Sequence, residues 1–191
     1  MIHATRLPQP RPKSPRPIFF GSKIPNSTLA KPDRPPPIKN MTFRTYMDTA
    51  LSQAKDAAAR GEVPVGAVVV SPTGLVIAAA GNRTRELNDP TAHAEILAIR
   101  AACKELGQER LIGHDLYVTL EPCPMCAAAI SNARIARLYY GAADPKSGGV
   151  AQGPAVFSHP QCHHAPEIYD GLSASASETL LKSFFASKRT G

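Results

Sequence analysis

The sequence of 191 residues contains no run of eighteen apolar residues, which argues against a membrane-spanning helix. It also has only four cysteines, too few to suggest the disulfide framework of a small secreted protein. Two of the four have the spacing of a metal site, a use of cysteine that suits a reducing compartment. We therefore expect a cytoplasmic protein with no membrane partner, and an apolar fraction of 43% is ample for a buried core.

Acidic residues are nearly missing from residues 1–40, where Asp33 stands against eight lysines and arginines and ten of the 19 prolines. Proline at this density disfavours helices and strands, so we predict a disordered basic extension. Three interpretations are open: a basic arm that holds RNA phosphates, an organelle transit peptide, or translation that starts at Met41. Residues 41–191 carry equal numbers of acidic and basic side chains and are predicted to form one folded domain.

One histidine and two cysteines have the spacing of a zinc site. His93 is followed thirty positions later by Cys123 and then by Cys126. Three protein ligands leave the fourth position of a tetrahedral metal open to water, whereas a structural site closes that position with a fourth ligand. Glu95 stands two residues after His93, where its carboxylate can exchange a proton with that water. The pattern predicts a hydrolytic zinc centre.

Two other interpretations of the cysteine pair remain open. Cys123 and Cys126 form a C-x-x-C motif, which also occurs in redox dithiols, although that function gives no reason for the His-x-Glu sequence. A structural zinc site completed by a cysteine or histidine elsewhere is the second alternative, with Cys162, His163 and His164 as the available residues. We expect His163 and His164 to be loop residues near the pocket with no assigned chemistry.

The apolar pattern predicts a hairpin followed by strands that alternate with helices. This order is typical of a three-layer α/β/α sandwich with a mixed central sheet. We expect Thr91 to be the N-cap of the helix after His93, the strand at 135–140 to lie at a sheet edge because it contains an arginine, and Phe184 and Phe185 to point inward. The predicted helices are 42–60, one after His93, one after Cys123 and 173–188; the predicted strands are 63–70, 75–80, 115–120 and 135–140.

Several longer motifs extend this pattern, and in this order they resemble the tRNA-specific adenosine deaminases of the cytidine deaminase-like superfamily. The resemblance covers nearly all of residues 41–191 and none of residues 1–40. The motifs are Glu62-Val63-Pro64-Val65-Gly66-Ala67-Val68, Gly81-Asn82-Arg83, Asp89-Pro90-Thr91-Ala92-His93-Ala94-Glu95, Leu116-Tyr117-Val118-Thr119-Leu120-Glu121-Pro122-Cys123 and Phe184-Phe185.

The resemblance implies a function and a set of site residues. The enzyme is expected to convert the wobble adenosine in the anticodon of a tRNA, an arginine tRNA in particular, to inosine. It is expected to act as a homodimer that binds the anticodon loop across both subunits, with one Zn²⁺ per subunit. The expected zinc ligands are His93, Cys123 and Cys126; the expected catalytic residue is Glu95; the expected substrate-binding residues are Asn82, Val65 and Asp144.

Two other functions compete with this expectation. A free-base or nucleotide deaminase acting on guanine or cytosine would share the metal centre but would favour a smaller, closed pocket. A non-catalytic module with a structural zinc would need four protein ligands.

Overall fold

A computed structural model describes residues 46–189 of the chain. The predicted extension at 1–40 and its boundary at Met41 lie outside these residues. Between residues 46 and 189, no helix combines the length and the apolar character that a membrane crossing requires. The helices are α1 (Met47–Ala59), α2 (Ala94–Leu106), α3 (Pro124–Asn132) and α4 (Ala174–Arg189); the strands are β1 (Gly66–Val70), β2 (Val76–Gly81), β3 (Asp115–Leu120), β4 (Arg137–Ala142) and β5 (Glu167–Tyr169).

The five strands form one mixed sheet in the order β2-β1-β3-β4-β5. Strand β1 runs antiparallel to both of its neighbours, so that Val68 lies opposite Ala79 on one side and Tyr117 on the other. Strands β3, β4 and β5 run parallel to one another. The predicted mixed central sheet is confirmed.

Strand β1 shows why the sheet is covered on both faces. All five of its residues are buried, and successive side chains point to opposite faces of a strand. Ala67 and Val69 pack in the cluster that includes α2 and α3, whereas Val68 and Val70 pack against α1. Helix α4 contacts β4 and α1, which places it beside α1 on the second face. The predicted three-layer α/β/α sandwich is therefore confirmed.

The predicted position of the fourth strand at a sheet edge is wrong. Strand β4 lies between β3 and β5, and the edge is β5, a strand of three exposed residues without the apolar alternation that would have revealed it. The arginine is tolerated inside the sheet because Arg137 Nε donates a hydrogen bond of 2.7 Å to Asp115 on the adjacent strand.

The inward orientation predicted for both phenylalanines of α4 is also wrong for one of them. Phe184 is half-buried, but Phe185 is 46% exposed and meets the Phe184 ring edge to face. Adjacent helical residues point about 100° apart, so a single packed face does not bury both of them.

Helix α1 lies unusually close to the sheet at Gly66. A methyl group added to Gly66 would overlap the Ala50 carbonyl oxygen and would come within 2.7 Å of the Ala54 nitrogen. Both are backbone atoms, so no side-chain rotation relieves the overlap. The absence of a side chain at Gly66 thus sets how closely α1 packs on β1.

We expect Gly66→Ala to lower the melting temperature, because α1 must move away from the sheet to admit the methyl group. Overpacking of this kind costs about 1–3 kcal/mol, which corresponds to a fall of several degrees in a domain of this size. Thermal unfolding followed by circular dichroism measures the change. A variant that melts with the wild type would show that the two backbones are not held at this distance.

Candidate active site

Two helices begin at the same place and bring the metal-ligating residues together there. His93 is the N-cap of α2 and Cys123 is the N-cap of α3, both with extended backbone, and Cys126 lies in the first turn of α3. Proline at the first position of α3 suits this start, because it has no N–H to satisfy and its φ angle is already helical. The distance from His93 Nδ1 is 3.7 Å to the Cys123 sulfur and 3.5 Å to the Cys126 sulfur.

These distances match the donor set of a zinc site. A tetrahedral zinc about 2.3 Å from sulfur and about 2.0–2.1 Å from nitrogen holds the two donors about 3.6 Å apart. The three ligand atoms all lie within 4.8 Å of one another. Within residues 46–189, this is the one group of three or more histidine, cysteine or acidic side chains close enough to hold a metal ion. Three ligands and no fourth is the composition of a catalytic zinc site.

The environment of the two cysteines favours a thiolate. A hydrogen bond from Cys126 lowers the pKa of Cys123 to about 4, with a further contribution from His93. The same hydrogen bond raises the pKa of Cys126, which supplies the proton. The positive N-terminal end of α3 adds to the stabilisation of negative charge on sulfur. The pair therefore presents a soft anionic donor of the kind that zinc prefers.

Glu95 lies in the first turn of α2, beside the ligand cluster, and is only 3% exposed. Burial raises the pKa of this carboxyl to about 6. An acid with a pKa close to neutrality is suited both to accepting and to donating a proton.

The predicted N-cap Thr91 is wrong: the N-cap residue of α2 is His93, and a side chain from the segment after β2 accepts a hydrogen bond from the first turn. The helix begins at Ala94, and the Thr91 hydroxyl donates to Asp89 instead. The Ala94 N–H donates to Asn82 Oδ1 at 2.8 Å. Because the amide oxygen of the buried Asn82 is engaged there, its NH₂ group is the part left for the pocket.

The pocket is a cavity of about 180 Å³ that contains all seven predicted site residues except Cys126. Val65 is an apolar part of its wall and is 6% exposed. Asp144 lines it from the loop that follows β4, and Asp144 Oδ1 accepts hydrogen bonds from the backbone N–H groups of Lys146 and Ser147. Parallel strands β3 and β4 end at the same edge of the sheet, which brings the Cys123 segment and the Asp144 loop together.

The structure places Cys162 and His163 away from this pocket. They line a separate cavity of about 210 Å³ beside Ala128 of α3. The Cys162 thiol donates to the His164 carbonyl at 3.1 Å, and His164 Nε2 lies 2.6 Å from the Ile135 carbonyl. None of the three lines the pocket or belongs to the ligand cluster, so they supply no fourth ligand there.

Sequence reasoning missed two buried carboxylates at the rims of the pocket. Glu62 accepts hydrogen bonds from the N–H groups of Arg85 and Glu86 and from the Thr84 hydroxyl, which lines the pocket. Burial raises the pKa of Glu62, but these hydrogen bonds outweigh it and hold the pKa below its usual range. Glu121 holds the loop on the opposite side in the same way. The available signal was an acidic residue directly before one apolar strand segment, at Glu62, and directly after another, at Glu121.

Comparison with known proteins gives relatives over most of the described chain. Residues 41–142 match the family "Cytidine and deoxycytidylate deaminase zinc-binding region". The tRNA-specific adenosine deaminase of Agrobacterium fabrum is 64% identical over 150 residues, which are 78% of this chain and 98% of the relative. That of Rickettsia bellii is 47% identical over 140 residues, 73% of this chain and 97% of the relative.

A solved structure agrees with these relatives. It comes from work on A-to-I editing by tRNA:A34 deaminases at the wobble position of transfer RNA. It superposes with a TM-score of 0.70 at 65% sequence identity and covers 71% of this chain and 98% of its own. The cytidine deaminase-like fold predicted from the motifs is thereby confirmed.

We expect Cys126→Ala to lose most of the zinc that the wild-type protein carries, because two ligands do not hold the ion as three do. Cys162→Ala is the matched control, since this cysteine lies outside the ligand cluster, and it should keep the wild-type zinc content. Elemental analysis of the purified proteins by mass spectrometry measures both. Full zinc content in Cys126→Ala would remove this residue from the ligand set.

Proposed function

The chain belongs to the tRNA-specific adenosine deaminases, within the cytidine and deoxycytidylate deaminase family, and from this we propose that it converts the wobble adenosine of a tRNA anticodon to inosine. The reaction consumes water and releases ammonia. The observation that carries the proposal is the convergence of His93, Cys123, Glu95 and Asn82 on one cavity, with Cys126 completing the ligand cluster behind it. An arginine tRNA is the expected substrate.

The chemistry divides between the metal and Glu95. His93 Nδ1 and the sulfurs of Cys123 and Cys126 would hold zinc, which supplies a water molecule activated for attack at neutral pH when it is bound. Glu95 accepts the proton that the attacking water releases. The same carboxyl then donates that proton to the ring nitrogen. It next takes the remaining proton from the hydroxyl group added to the ring carbon and passes it to the amino group, so that the carbon–nitrogen bond breaks, a carbonyl forms and the amino group leaves as ammonia.

Three residues are proposed to hold the target nucleoside. The Asn82 NH₂ group, oriented by the hydrogen bond from Ala94, donates to an acceptor on the base. Val65 provides an apolar surface against the ring. Asp144 lies at the mouth of the cavity and receives the adjoining sugar. An anticodon base is already unpaired, so the free energy needed to bring it into the cavity is small.

We propose that the protein acts as a homodimer in the cytoplasm. The net charge of residues 41–191 is zero, whereas a nucleic-acid-binding domain usually has a basic excess. In a dimer, basic groups from two subunits could combine into one positive surface for the RNA. All cysteines among residues 46–189 are free thiols, in keeping with a reducing compartment. Light scattering coupled to gel filtration tests the dimer, and a monomer at assay concentrations would contradict it.

An anticodon stem-loop with adenosine at the wobble position should be converted to inosine, as measured by nuclease digestion and liquid chromatography of the nucleosides. The control is the same stem-loop with the adenosine moved to a neighbouring loop position, which should remain unchanged. Ammonia release from free guanine or cytosine, without inosine in the stem-loop, would instead establish a free-base deaminase.

Glu95→Gln should keep the zinc and lose turnover by a factor on the order of 10²–10⁴, because the amide keeps the shape of the side chain but transfers no proton. Glu105→Gln is the control on the same helix, since Glu105 is exposed and distant from the cavity. Single-turnover inosine formation and zinc analysis are measured together. An active Glu95→Gln variant would eliminate the assigned proton transfer.

A further inference from the structure

We propose that Glu121 is a positioning residue: its buried carboxylate anchors the loop 144–152 and thereby sets the wall of the pocket that meets the substrate. The inference rests on the proposed function for the identity of the substrate. It concerns a residue that neither holds the metal nor transfers a proton.

The carboxylate lies at the centre of the loop that it anchors. Glu121 is 2% exposed and directly follows β3. Its Oε1 accepts hydrogen bonds from the backbone N–H groups of Val150, Ala151 and Gln152 at 3.2, 2.9 and 2.9 Å. Its Oε2 accepts a hydrogen bond from the N–H of Asp144 at 3.0 Å. Both ends of the loop are thus bound to one side chain.

Two glycines let the loop close on this carboxylate. A methyl group on Gly148 would come within 2.6 Å of Glu121 Oε1, and one on Gly149 would come within 2.5 Å of the Pro124 nitrogen. The N–H of Gly149 also donates to the Pro122 carbonyl at 2.9 Å. The loop therefore packs directly on the segment that carries Cys123.

Glu121 also holds the part of the loop that lines the pocket. Asp144 is held through its own backbone N–H, and its carboxylate in turn accepts the N–H groups of Lys146 and Ser147. Asp144 and Ser147 both line the cavity. A shift of Glu121 therefore moves the two loop residues that face the substrate, while the metal ligands remain attached to α2 and α3.

A carboxylate suits this position better than its amide. Four backbone N–H donors surround two oxygens, and every contact needs an acceptor. In Glu121→Gln, one oxygen is replaced by an NH₂ group that faces a donor. Whichever way the amide turns, either the contact to Asp144 or the three contacts to residues 150–152 are lost.

The test compares Glu121→Gln with Asp115→Asn. Asp115 is a buried carboxylate at the opposite end of the same strand, paired with Arg137, and is distant from the cavity. Zinc content, melting temperature, and kcat and KM for the anticodon stem-loop are measured for both variants. Glu121→Gln should keep its zinc and raise KM roughly tenfold or more, as expected for the loss of a charge-assisted hydrogen bond. Asp115→Asn should lower the melting temperature and leave KM unchanged.

Hydrogen exchange provides a readout that does not depend on the substrate. The amides of Asp144 and of residues 150–152 should exchange faster in Glu121→Gln and at the wild-type rate in Asp115→Asn. A wild-type protein that does not deaminate the stem-loop would contradict the proposed function. Unchanged amide exchange at Asp144 and residues 150–152 in Glu121→Gln would contradict the anchoring role. Wild-type KM in that variant, or loss of its zinc, would also overturn the proposal.

Gly148→Ala tests the same contact without altering the carboxylate, and it decides the question if Glu121→Gln does not fold. Its methyl group would come within 2.6 Å of both Glu121 Oε1 and the Asp144 carbonyl oxygen, so the loop should be displaced from Glu121. Faster exchange at residues 150–152 and a raised KM with full zinc content are expected. Wild-type exchange and KM in Gly148→Ala would overturn the proposal.

Discussion

The first turns of α2 and α3 converge, and the active site depends on this convergence. Each helix contributes its N-cap residue, His93 or Cys123, to the ligand cluster, and Glu95 follows His93 by two residues in the first turn of α2. Helix N-termini carry partial positive charge, so they stabilise the thiolates that the metal needs. The metal ligands, the proposed proton carrier Glu95 and the local positive field are therefore all placed by the points at which two helices begin. The sheet between α1 and α2 holds those points in position.

The local parts of this arrangement could be predicted from the sequence. His93 and Glu95 lie within one helical turn of each other, and so do Cys123 and Cys126. Short-range sequence patterns predict such local arrangements well. The layered fold was predictable for a similar reason, since a buried strand such as β1 and an amphipathic helix differ in their apolar period. Neither inference required knowledge of which distant residues meet.

The predictions that were wrong concern features that depend on residues distant in the sequence. Thr91 has the chemistry of an N-cap, but the first N–H of the helix donates to Asn82, which comes from twelve positions earlier in the chain. An arginine normally indicates an exposed strand, but Arg137 is neutralised by Asp115 across the sheet. In the sequence, Glu121 is an acidic residue with nothing to distinguish it from others. In the structure, it accepts hydrogen bonds from backbone N–H groups 23–31 positions later in the chain. Tertiary partners decide each of these cases, and residue type alone does not identify partners.

The loop beside Asp144 is attached through main-chain amides, with few of its own side chains involved. Amides are common to every residue except proline, so the attachment places little demand on residue identity at positions 145–147, 151 and 152 apart from excluding proline where an N–H is required. Position 150 is different, because Val150 is buried in the core. Such a loop is a natural place to introduce diversity when the enzyme is redesigned for other nucleosides. New side chains could be presented to the ligand from a scaffold that keeps its shape.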